Sequence, residues 1–186
     1  ITVLVVDNEP GFAALAGEML ERERDSIVTL AATNGTEALS LLERREVDCI
    51  VSDYEMPAMT GLELLERVRE DDPERPFILF TGRGSEEIAS EAIAAGVTQY
   101  LQKDSNQEQY ALLANQITNA VAQYRMETEL RESERRYERT LTTLHETTRD
   151  LMRAETKADI YRAAIETADE ILDVAVAAAY AFEPTA

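Results

Sequence analysis

Short apolar runs alternate with amphipathic stretches over the first 105 residues of the chain. Five runs have the composition of β-strands and lie at residues 2–6, 27–31, 49–52, 77–80 and 98–101. Between them, apolar residues recur with helical spacing at about residues 11–23, 35–44, 61–70 and 86–95. Four of the runs are almost entirely apolar, which is typical of strands buried on both faces of a parallel sheet. The strict alternation predicts an α/β fold with a doubly wound, five-stranded parallel sheet.

After residue 105 the pattern becomes that of an extended C-terminal helix. Residues 107–154 contain no glycine or proline, and such a helix would be about 70 Å long at 1.5 Å per residue. Its apolar residues repeat every seven positions in two sets that are out of phase: Tyr110, Ile117 and Tyr124, then Leu130, Tyr137, Leu144 and Leu151. Two heptad sets joined by a phase shift indicate a two-stranded coiled coil with a stutter. Leu141 adds to the second set, but Glu134 and Thr148 interrupt it. We therefore expect the first set to pack on the preceding domain and only the second to form a homodimer.

The last part of the chain combines a helix with a single strand. Residues 157–173 show an amphipathic helical pattern, and residues 174–182 have the pattern of a strand. A segment of this size is shorter than the roughly 50 residues of the smallest usual domain. We therefore predict a domain over residues 1–123, a coiled-coil-like signalling helix over 124–154, and the truncated start of a second domain over 155–186.

The strongly acidic composition limits the partners of the chain. Against 37 Asp and Glu there are 18 Lys and Arg, which gives a net charge of −19, and only Lys103 and Lys157 are lysines. Nucleic acids and anionic membrane surfaces attract clustered positive charge, so we predict that this chain binds no nucleic acid and no membrane. High acidity with so few lysines resembles the proteins of salt-loving (haloarchaeal) organisms, and an ordinary acidic protein is the alternative.

Other features of the sequence favour a cytoplasmic protein. No apolar stretch approaches the ~18 to 20 residues that span a bilayer, and no cationic leader precedes the first strand. The single cysteine, Cys49, has no internal disulfide partner and lies in an apolar run. We interpret it as a buried thiol in a reducing compartment.

Residues able to carry chemistry follow four of the predicted strands. They are, in chain order, Asp7, Asn8, Glu9, Asp53, Thr81, Gly82 and Lys103. In a doubly wound sheet the binding site lies at the carboxyl ends of the strands, so these residues should converge. Clustered carboxylates favour a hard cation such as Mg²⁺, and a hydroxyl and a lysine facing it would stabilise a phosphoryl group. The set predicts phosphoryl transfer to Asp53 as the nucleophile.

Each of these residues taken alone also fits a structural role. Asp7 is suited to cap the helix that starts near Pro10, and Thr81 is suited to a turn before the fourth helix. Pro57 and Gly61 alone would be ordinary loop residues. One consistent set at four strand ends favours the chemical interpretation.

Motifs at these strand ends resemble the receiver domain of two-component response regulators. Residues 53–61, DYEMPAMTG, have the D-x-x-M-P-x-x-x-G spacing of that family, and residues 80–82 and 100–103 match its fourth and fifth strand ends. The resemblance covers residues 1 to about 123 and implies a flavodoxin-like receiver fold. It also implies Mg²⁺ as cofactor, and a histidine kinase or phosphotransfer protein as the partner that donates phosphate.

The resemblance assigns a magnesium site to the first and third strand ends. It implies that Asp53 accepts the phosphoryl group, and that Asp7, Asp53 and the main-chain carbonyl of Glu55 hold the ion. Where the family usually has a second acidic residue, this chain has Asn8, a neutral ligand that should weaken Mg²⁺ binding. The next residue, Glu9, is a candidate to compensate for the lost charge.

The resemblance places the remaining site residues at the fourth and fifth strand ends. It implies that Thr81 bonds a phosphoryl oxygen, that Lys103 pairs with its charge, and that Tyr100 is the switch aromatic that moves with Thr81. Where the family commonly has Lys-Pro with a cis bond, this chain has Lys103-Asp104. A cis bond without proline costs about 2.5–4 kcal/mol, so we expect a trans bond or local strain. We predict a domain that can be phosphorylated, with a pseudo-receiver that only pairs with partners as the alternative.

Two weaker resemblances concern the C-terminal part. His145 and Glu146 faintly resemble the phosphoacceptor box of a histidine kinase, which would make the chain a fragment of a hybrid kinase. The basic, polar and proline residues that continue that box are missing, so we interpret His145 as a surface or seam residue. From residue 141 onward the pattern resembles the entry helix of a GAF-type sensory domain. We therefore predict a phosphoacceptor switch and not an enzyme, with a phosphate-independent dimerisation module as a further alternative.

Overall fold

The computed structural model describes residues 1–82, 86–104, 108–154 and 156–172. The elements are β1 (Thr2–Val6), α1 (Pro10–Glu23), β2 (Val28–Ala32), α2 (Gly35–Leu42), β3 (Cys49–Ser52), α3 (Gly61–Asp71), β4 (Phe77–Thr81), α4 (Glu86–Ala95), β5 (Gln99–Gln102), α5 (Glu108–Arg153) and α6 (Lys157–Leu172). Every element predicted within these ranges is present, with ends that differ from the prediction by at most two residues. The strand predicted at residues 174–182 lies outside the described residues.

The five strands form one parallel sheet in the order β2-β1-β3-β4-β5. This order confirms the predicted doubly wound α/β fold. The chain moves outward from β1 to β2 and returns to β3 on the other side of β1, so the strand order reverses between β1 and β3. Such a reversal opens a crevice at the carboxyl ends of the two strands. The fold therefore places a binding site beyond Val6 and Ser52.

Helices cover both faces of the sheet because its central strands are apolar on both sides. Val3 and Val5 of β1 lie in a core formed with α1 and α5. Leu4 and Val6 lie in a second core formed with α2, α3 and α4. This alternation follows from the two-residue period of a strand, which sends successive side chains to opposite faces. The two cores hold the strand ends in fixed positions.

The first heptad set of α5 belongs to the core on the α1 side. Tyr110 and Ile117 are 7% and 0% exposed there. The Tyr124 hydroxyl donates a hydrogen bond of 2.7 Å to Asp72. Tyr110 and Ile117 therefore pack on the domain, as predicted, and Tyr124 reaches it through this hydrogen bond.

The chain divides into two compact units, Ile1–Met126 and Glu127–Ala186. In the second unit, the hydroxyls of Thr147 on α5 and Thr167 on α6 share a hydrogen bond. The second heptad set of α5 is largely exposed, with exposed fractions between 41% and 67% at Leu130, Tyr137, Leu144 and Leu151. Among the described residues, no helix combines the length and the apolar composition needed to cross a membrane.

Candidate functional site

Three charged side chains predicted for the site converge beyond the ends of β1, β3 and β5. Asp7 and Asp53 follow directly after β1 and β3, and Lys103 follows β5. Main-chain hydrogen bonds continue past the strands: the N–H of Asp7 donates to Ala32 at 3.0 Å, and that of Asp53 donates to Val6 at 2.8 Å. The backbone therefore holds both carboxylates at the crevice between β1 and β3.

The ammonium of Lys103 contacts both carboxylates. Its Nζ donates hydrogen bonds to Oδ2 of Asp7 at 2.6 Å and to Oδ1 of Asp53 at 3.0 Å. The side chains of Asp7 and Asp53 are only 4% and 10% exposed, and that of Lys103 is 17% exposed. Two buried carboxylates at close range repel each other, and a cation that contacts both offsets this repulsion. The site is therefore a charged triad of low exposure.

The second oxygen of Asp7 has a structural role. Its Oδ1 accepts a hydrogen bond of 2.9 Å from the main-chain N–H of Glu9, the residue that precedes α1. Asp7 does not form the predicted helix cap, because the N-cap residue of α1 is Glu9 and no side chain caps the helix there. The bond to Glu9 instead closes the loop before α1, and the role of Asp7 as a metal ligand stays a prediction. Asn8 and Glu9 lie in this loop with exposed side chains, and their roles near a metal ion stay predictions.

The loop between β3 and α3 fixes the main chain of Asp53. The Ser52 hydroxyl donates a hydrogen bond of 2.9 Å to the carbonyl of Asp53. The N–H of Gly61 donates one of 2.9 Å to the carbonyl of Tyr54. Glu55 lies in this loop with an exposed side chain, and its main-chain carbonyl stays a predicted metal ligand.

The strands β4 and β5 carry or directly precede the remaining predicted residues. The N–H of Lys103 donates to the carbonyl of Thr81 at 2.8 Å, and Thr81 is 1% exposed. A Cβ on Gly82 would lie 3.9 Å from Cδ of Lys103, an ordinary contact distance. The Tyr100 hydroxyl is buried and lacks a hydrogen-bond partner within the described ranges. A buried hydroxyl without a partner costs about 1–3 kcal/mol, which favours any arrangement that provides one.

Two aromatic rings lie near the Lys103 ammonium, and the sequence patterns do not predict them. Nζ lies 4.2 Å from the ring centroid of Phe12 and 5.9 Å from that of Phe80. Phe12 is the third residue of α1, and Phe80 precedes Thr81 in β4. The signal available in the sequence is an aromatic residue in the first turn of the helix that follows Asp7.

Three further predictions concern the Lys103–Asp104 peptide bond, Cys49 and His145. The peptide bond between Lys103 and Asp104 is trans. Cys49 is 0% exposed, and burial raises the pKa of its thiol, as in a core cysteine that does not react. His145 has an exposed side chain on α5, in agreement with its interpretation as a surface residue.

The two carboxylates suit a magnesium ion. Both contact one cationic atom, Nζ of Lys103, so their oxygens converge on a single point. Mg²⁺ is usually held by one or two carboxylates together with water and substrate phosphate. In the part of the chain that the structure describes, no three His, Cys, Asp or Glu side chains form a metal-binding group. Further ligands would therefore be amide, main-chain carbonyl, water or phosphate oxygens.

Fold and site together define an α/β domain with a buried carboxylate pair and a lysine at its strand ends. A model of the response regulator receiver domain matches residues 3–115, more than half of the chain. The chain therefore belongs to the response regulator receiver family, as the motifs predict. Receiver domains are the phosphoacceptor modules of two-component systems and interact with histidine kinases or phosphotransfer proteins; they are not catalytic enzyme domains.

Curated relatives match the same part of the chain. The transcriptional regulatory protein GlrR of Escherichia coli K12 is 38% identical over 101 residues, which cover 54% of this chain and 22% of that protein. An uncharacterized 14.6 kDa protein of Leptolyngbya boryana is 45% identical over 103 residues, which cover 54% of this chain and 77% of that protein. The match spans less than a quarter of GlrR. The activity and partners of GlrR as a whole are therefore not assigned to this chain.

Solved structures share the receiver fold. A response regulator receiver domain from Clostridium thermocellum aligns with a TM-score of 0.60 and 26% identity, over 67% of this chain and 97% of that chain. The response regulator protein TrrA from Thermotoga maritima, solved in complex with Mg²⁺ and BeF, aligns with a TM-score of 0.55 and 27% identity, over 62% of this chain and 97% of that chain. These neighbours confirm the predicted five-stranded, flavodoxin-like receiver fold.

Proposed function

We propose that this chain is a cytoplasmic, phosphorylation-controlled signalling switch whose phosphoacceptor is Asp53. The observation that carries the proposal is the position of Lys103 Nζ, 2.6 Å from Asp7 and 3.0 Å from Asp53. The donor would be a phosphohistidine of a histidine kinase or phosphotransfer protein. An Asp53 oxygen attacks phosphorus, the P–N bond to the histidine breaks, and its electron pair remains on the imidazole.

The crevice residues would bind Mg²⁺ for this step. Asp7 and Asp53 would hold the ion, with Asn8 and the main-chain carbonyl of Glu55 as further oxygen ligands. When bound, the ion neutralises charge on the oxygens of the transferred phosphoryl group. Lys103 contributes a positive charge to the same oxygens. Because Asn8 is neutral, we propose that this chain binds Mg²⁺ more weakly than a receiver with two adjacent acids.

Thr81 and Tyr100 form the proposed switch. Thr81 pairs with Gln102 of β5, and Tyr100 lies two residues earlier on that strand. A hydrogen bond from the Thr81 hydroxyl to a phosphoryl oxygen would draw Thr81 toward Asp53. The buried Tyr100 hydroxyl, which lacks a partner within the described ranges, would gain one in a rearranged state. Phosphate would then bias a two-state element and alter the face formed by α4, β5 and α5.

The second heptad set is the proposed contact with a second copy of the chain. Its residues repeat every seven positions and are exposed, and Leu141 beside them is 42% exposed. A parallel pair of helices would bury these side chains against their counterparts. The helix α5 is continuous from Glu108 to Arg153. A conformational change at its first turns would therefore be passed to the paired helices and to the GAF-type segment predicted at 155–186.

Phosphorylation by a small-molecule phosphodonor across a Mg²⁺ titration tests the proposal. Intact-mass analysis should show one added phosphoryl group, lost in Asp53→Ala and kept in His145→Ala. The group should be labile in base, where phosphohistidine is stable. A phosphoryl group that is still added to Asp53→Ala but not to His145→Ala would identify a hybrid-kinase fragment. If no phosphoryl group is added at any Mg²⁺ concentration, even at high salt, the result would favour a phosphate-independent dimerisation module.

A further inference from the structure

The ring of Phe12 forms part of the surroundings of Lys103. Nζ of Lys103 lies over this ring, 4.2 Å from its centroid. A cation within about 6 Å of a ring centroid is attracted to the negative face of the ring. The partners of the ammonium therefore include two charged groups, Asp7 and Asp53, and two neutral aromatic rings, of which that of Phe12 is nearer than that of Phe80.

Packing fixes the position of the Phe12 ring. The ring packs against the core on the α1 side, and its centroid lies 6.2 Å from that of Phe80 with 40° between the planes. Phe80 is 2% exposed and in turn meets Tyr110 of α5 at 6.4 Å in an edge-on contact. Residues of α1, β4 and α5 thus support the ring, whereas Lys103 carries its charge on a flexible four-carbon stem.

We infer that Phe12 is a positioning residue that keeps the Lys103 ammonium at the phosphoacceptor. The inference rests on the proposed function, because it concerns how Lys103 reaches a phosphoryl group on Asp53. A divalent cation that binds Asp7 and Asp53 competes with the ammonium for their oxygens. The Phe12 ring is uncharged and does not bind hard metal ions, so its attraction for the ammonium does not depend on the metal.

Selective lysine labelling tests the contact directly, because Lys103 and Lys157 are the only lysines in the sequence. With ¹³C at Cε and ¹⁵N at Nζ, the NMR spectrum contains one set of signals from each, and Lys157 serves as an internal reference. We expect ring-current shifts at Lys103 in the wild type, their loss in Phe12→Leu and their retention in Phe12→Tyr. Relaxation of the Lys103 ammonium should show greater mobility in Phe12→Leu, with and without Mg²⁺. Unchanged Lys103 signals in Phe12→Leu would overturn the inference.

Fluorinated phenylalanines separate the charge distribution of the ring from its packing, since fluorine weakens the negative face with little change in size. Introduced at Phe12 alone, rings with one, two and three fluorines should slow the phosphorylation of Asp53 in steps. The series should approach the rate of Phe12→Leu, for which we expect a loss of about three- to tenfold. Leu15→Ala, on the same helix with a 45% exposed side chain, should leave the rate unchanged. Equal rates across the fluorinated series would overturn the inference.

The inference and the proposed function fail in different ways. If the wild type is not phosphorylated on Asp53, the proposed function is wrong, and the mobility of the Lys103 ammonium in Phe12→Leu still decides whether the ring positions it. If the wild type is phosphorylated and Phe12→Leu changes neither the rate nor the Lys103 signals, the proposed function stands and Phe12 has no positioning role.

Discussion

A Cβ atom on Gly61 would lie 2.3 Å from the main-chain carbonyl oxygen of Asp53. Real Cβ atoms do not approach the main chain this closely, so only glycine fits at the start of α3 without a backbone shift. The N–H of Gly61 also donates a hydrogen bond to the carbonyl of Tyr54. The first turn of α3 thus packs directly against the proposed phosphoacceptor, which explains the glycine at the end of the motif that begins at Asp53.

Gly61→Ala should therefore destabilise the domain. Because the shortest of these contacts is with the main chain, which cannot turn aside as a side chain does, we expect the free energy of unfolding to fall by about 1–3 kcal/mol. Urea denaturation measures this loss. Gly11→Ala is the matched control, since a Cβ there would meet nothing within 4 Å and the residue lies in α1. It should be as stable as the wild type or more so, and an equal loss in both variants would contradict the steric explanation.

Asn8→Asp should strengthen Mg²⁺ binding. The new carboxylate would lie next to Asp7, and each further charged oxygen ligand raises the affinity of a site for a hard cation. We expect the Mg²⁺ concentration that gives half-maximal phosphorylation of Asp53 to fall roughly tenfold. Asn119→Asp adds the same charge at an exposed position on α5 and should leave this midpoint unchanged. A midpoint that does not move in Asn8→Asp would exclude Asn8 from the metal site.

Sequence patterns predict a site residue well when backbone topology alone places it. Asp7, Asp53 and Lys103 converge because the strands of one parallel sheet end at the same edge, and this rule requires no knowledge of side-chain conformation. Phe12 is not found in this way. An apolar residue in the first turn of a helix is expected in the core, and only the folded arrangement shows that its ring also lies under an ammonium group.

The first residues of β2 and β5 show a related limit of prediction from sequence. The apolar pattern places Ile27 in β2, but its N–H donates to the carbonyl of Arg24 in a turn, and the strand begins one residue later. The pattern likewise places Thr98 in β5, but its hydroxyl accepts a hydrogen bond of 3.0 Å from the N–H of Phe77, and the strand begins at the next residue. Apolar patterns report burial, whereas strand limits depend on hydrogen bonds. The GAF-type and halophilic assignments rest on pattern and composition alone and stay predictions.

Tyr124 links α5 to the C-terminal end of α3 through a hydrogen bond to Asp72, a residue distant from it in sequence. Its hydroxyl donates to Oδ2 of Asp72 at 2.7 Å, and Nε of Arg75 lies 3.2 Å from the same oxygen. Burial would raise the pKa of Asp72, but hydrogen bonds from Tyr124, from the main-chain N–H of Glu74 and from Arg75 outweigh it. Together they lower the pKa below its ordinary value of 3.8.

Tyr124→Phe should reduce stability in a pH-dependent way. At pH 7 we expect a loss of about 1 kcal/mol in the free energy of unfolding. A lowered carboxylate pKa contributes stability above the unfolded-state value near 3.8 and loses it as the pH falls through the folded-state value. The difference from the wild type should therefore shrink below about pH 4. Urea denaturation at several pH values measures it, with Tyr161→Phe on α6, whose side chain is 38% exposed, as the control. A loss that is independent of pH would contradict the role of Asp72.

The second heptad set should control self-association. In a parallel pair, Leu144 would face its own counterpart, and Glu134 would do so at an interrupted position of the seam. Leu144→Glu should raise the dimer dissociation constant roughly tenfold or more, because it buries like charges in an apolar contact. Glu134→Leu should lower the constant by removing a pair of like charges. Sedimentation equilibrium of the full chain measures both changes.

Salt dependence gives this test a second measurement. The chain has a net charge of −19, so high salt should favour association by screening the repulsion between copies. Glu134→Leu should reduce this salt dependence, because one repulsive pair in the seam is removed. Leu15→Glu is the control for Leu144→Glu, because it adds the same charge at a 45% exposed leucine of α1. It should leave the dimer dissociation constant and its salt dependence unchanged. Dimers that Leu144→Glu does not weaken would place the contact elsewhere, and a chain that stays monomeric at high salt would contradict pairing through the second heptad set.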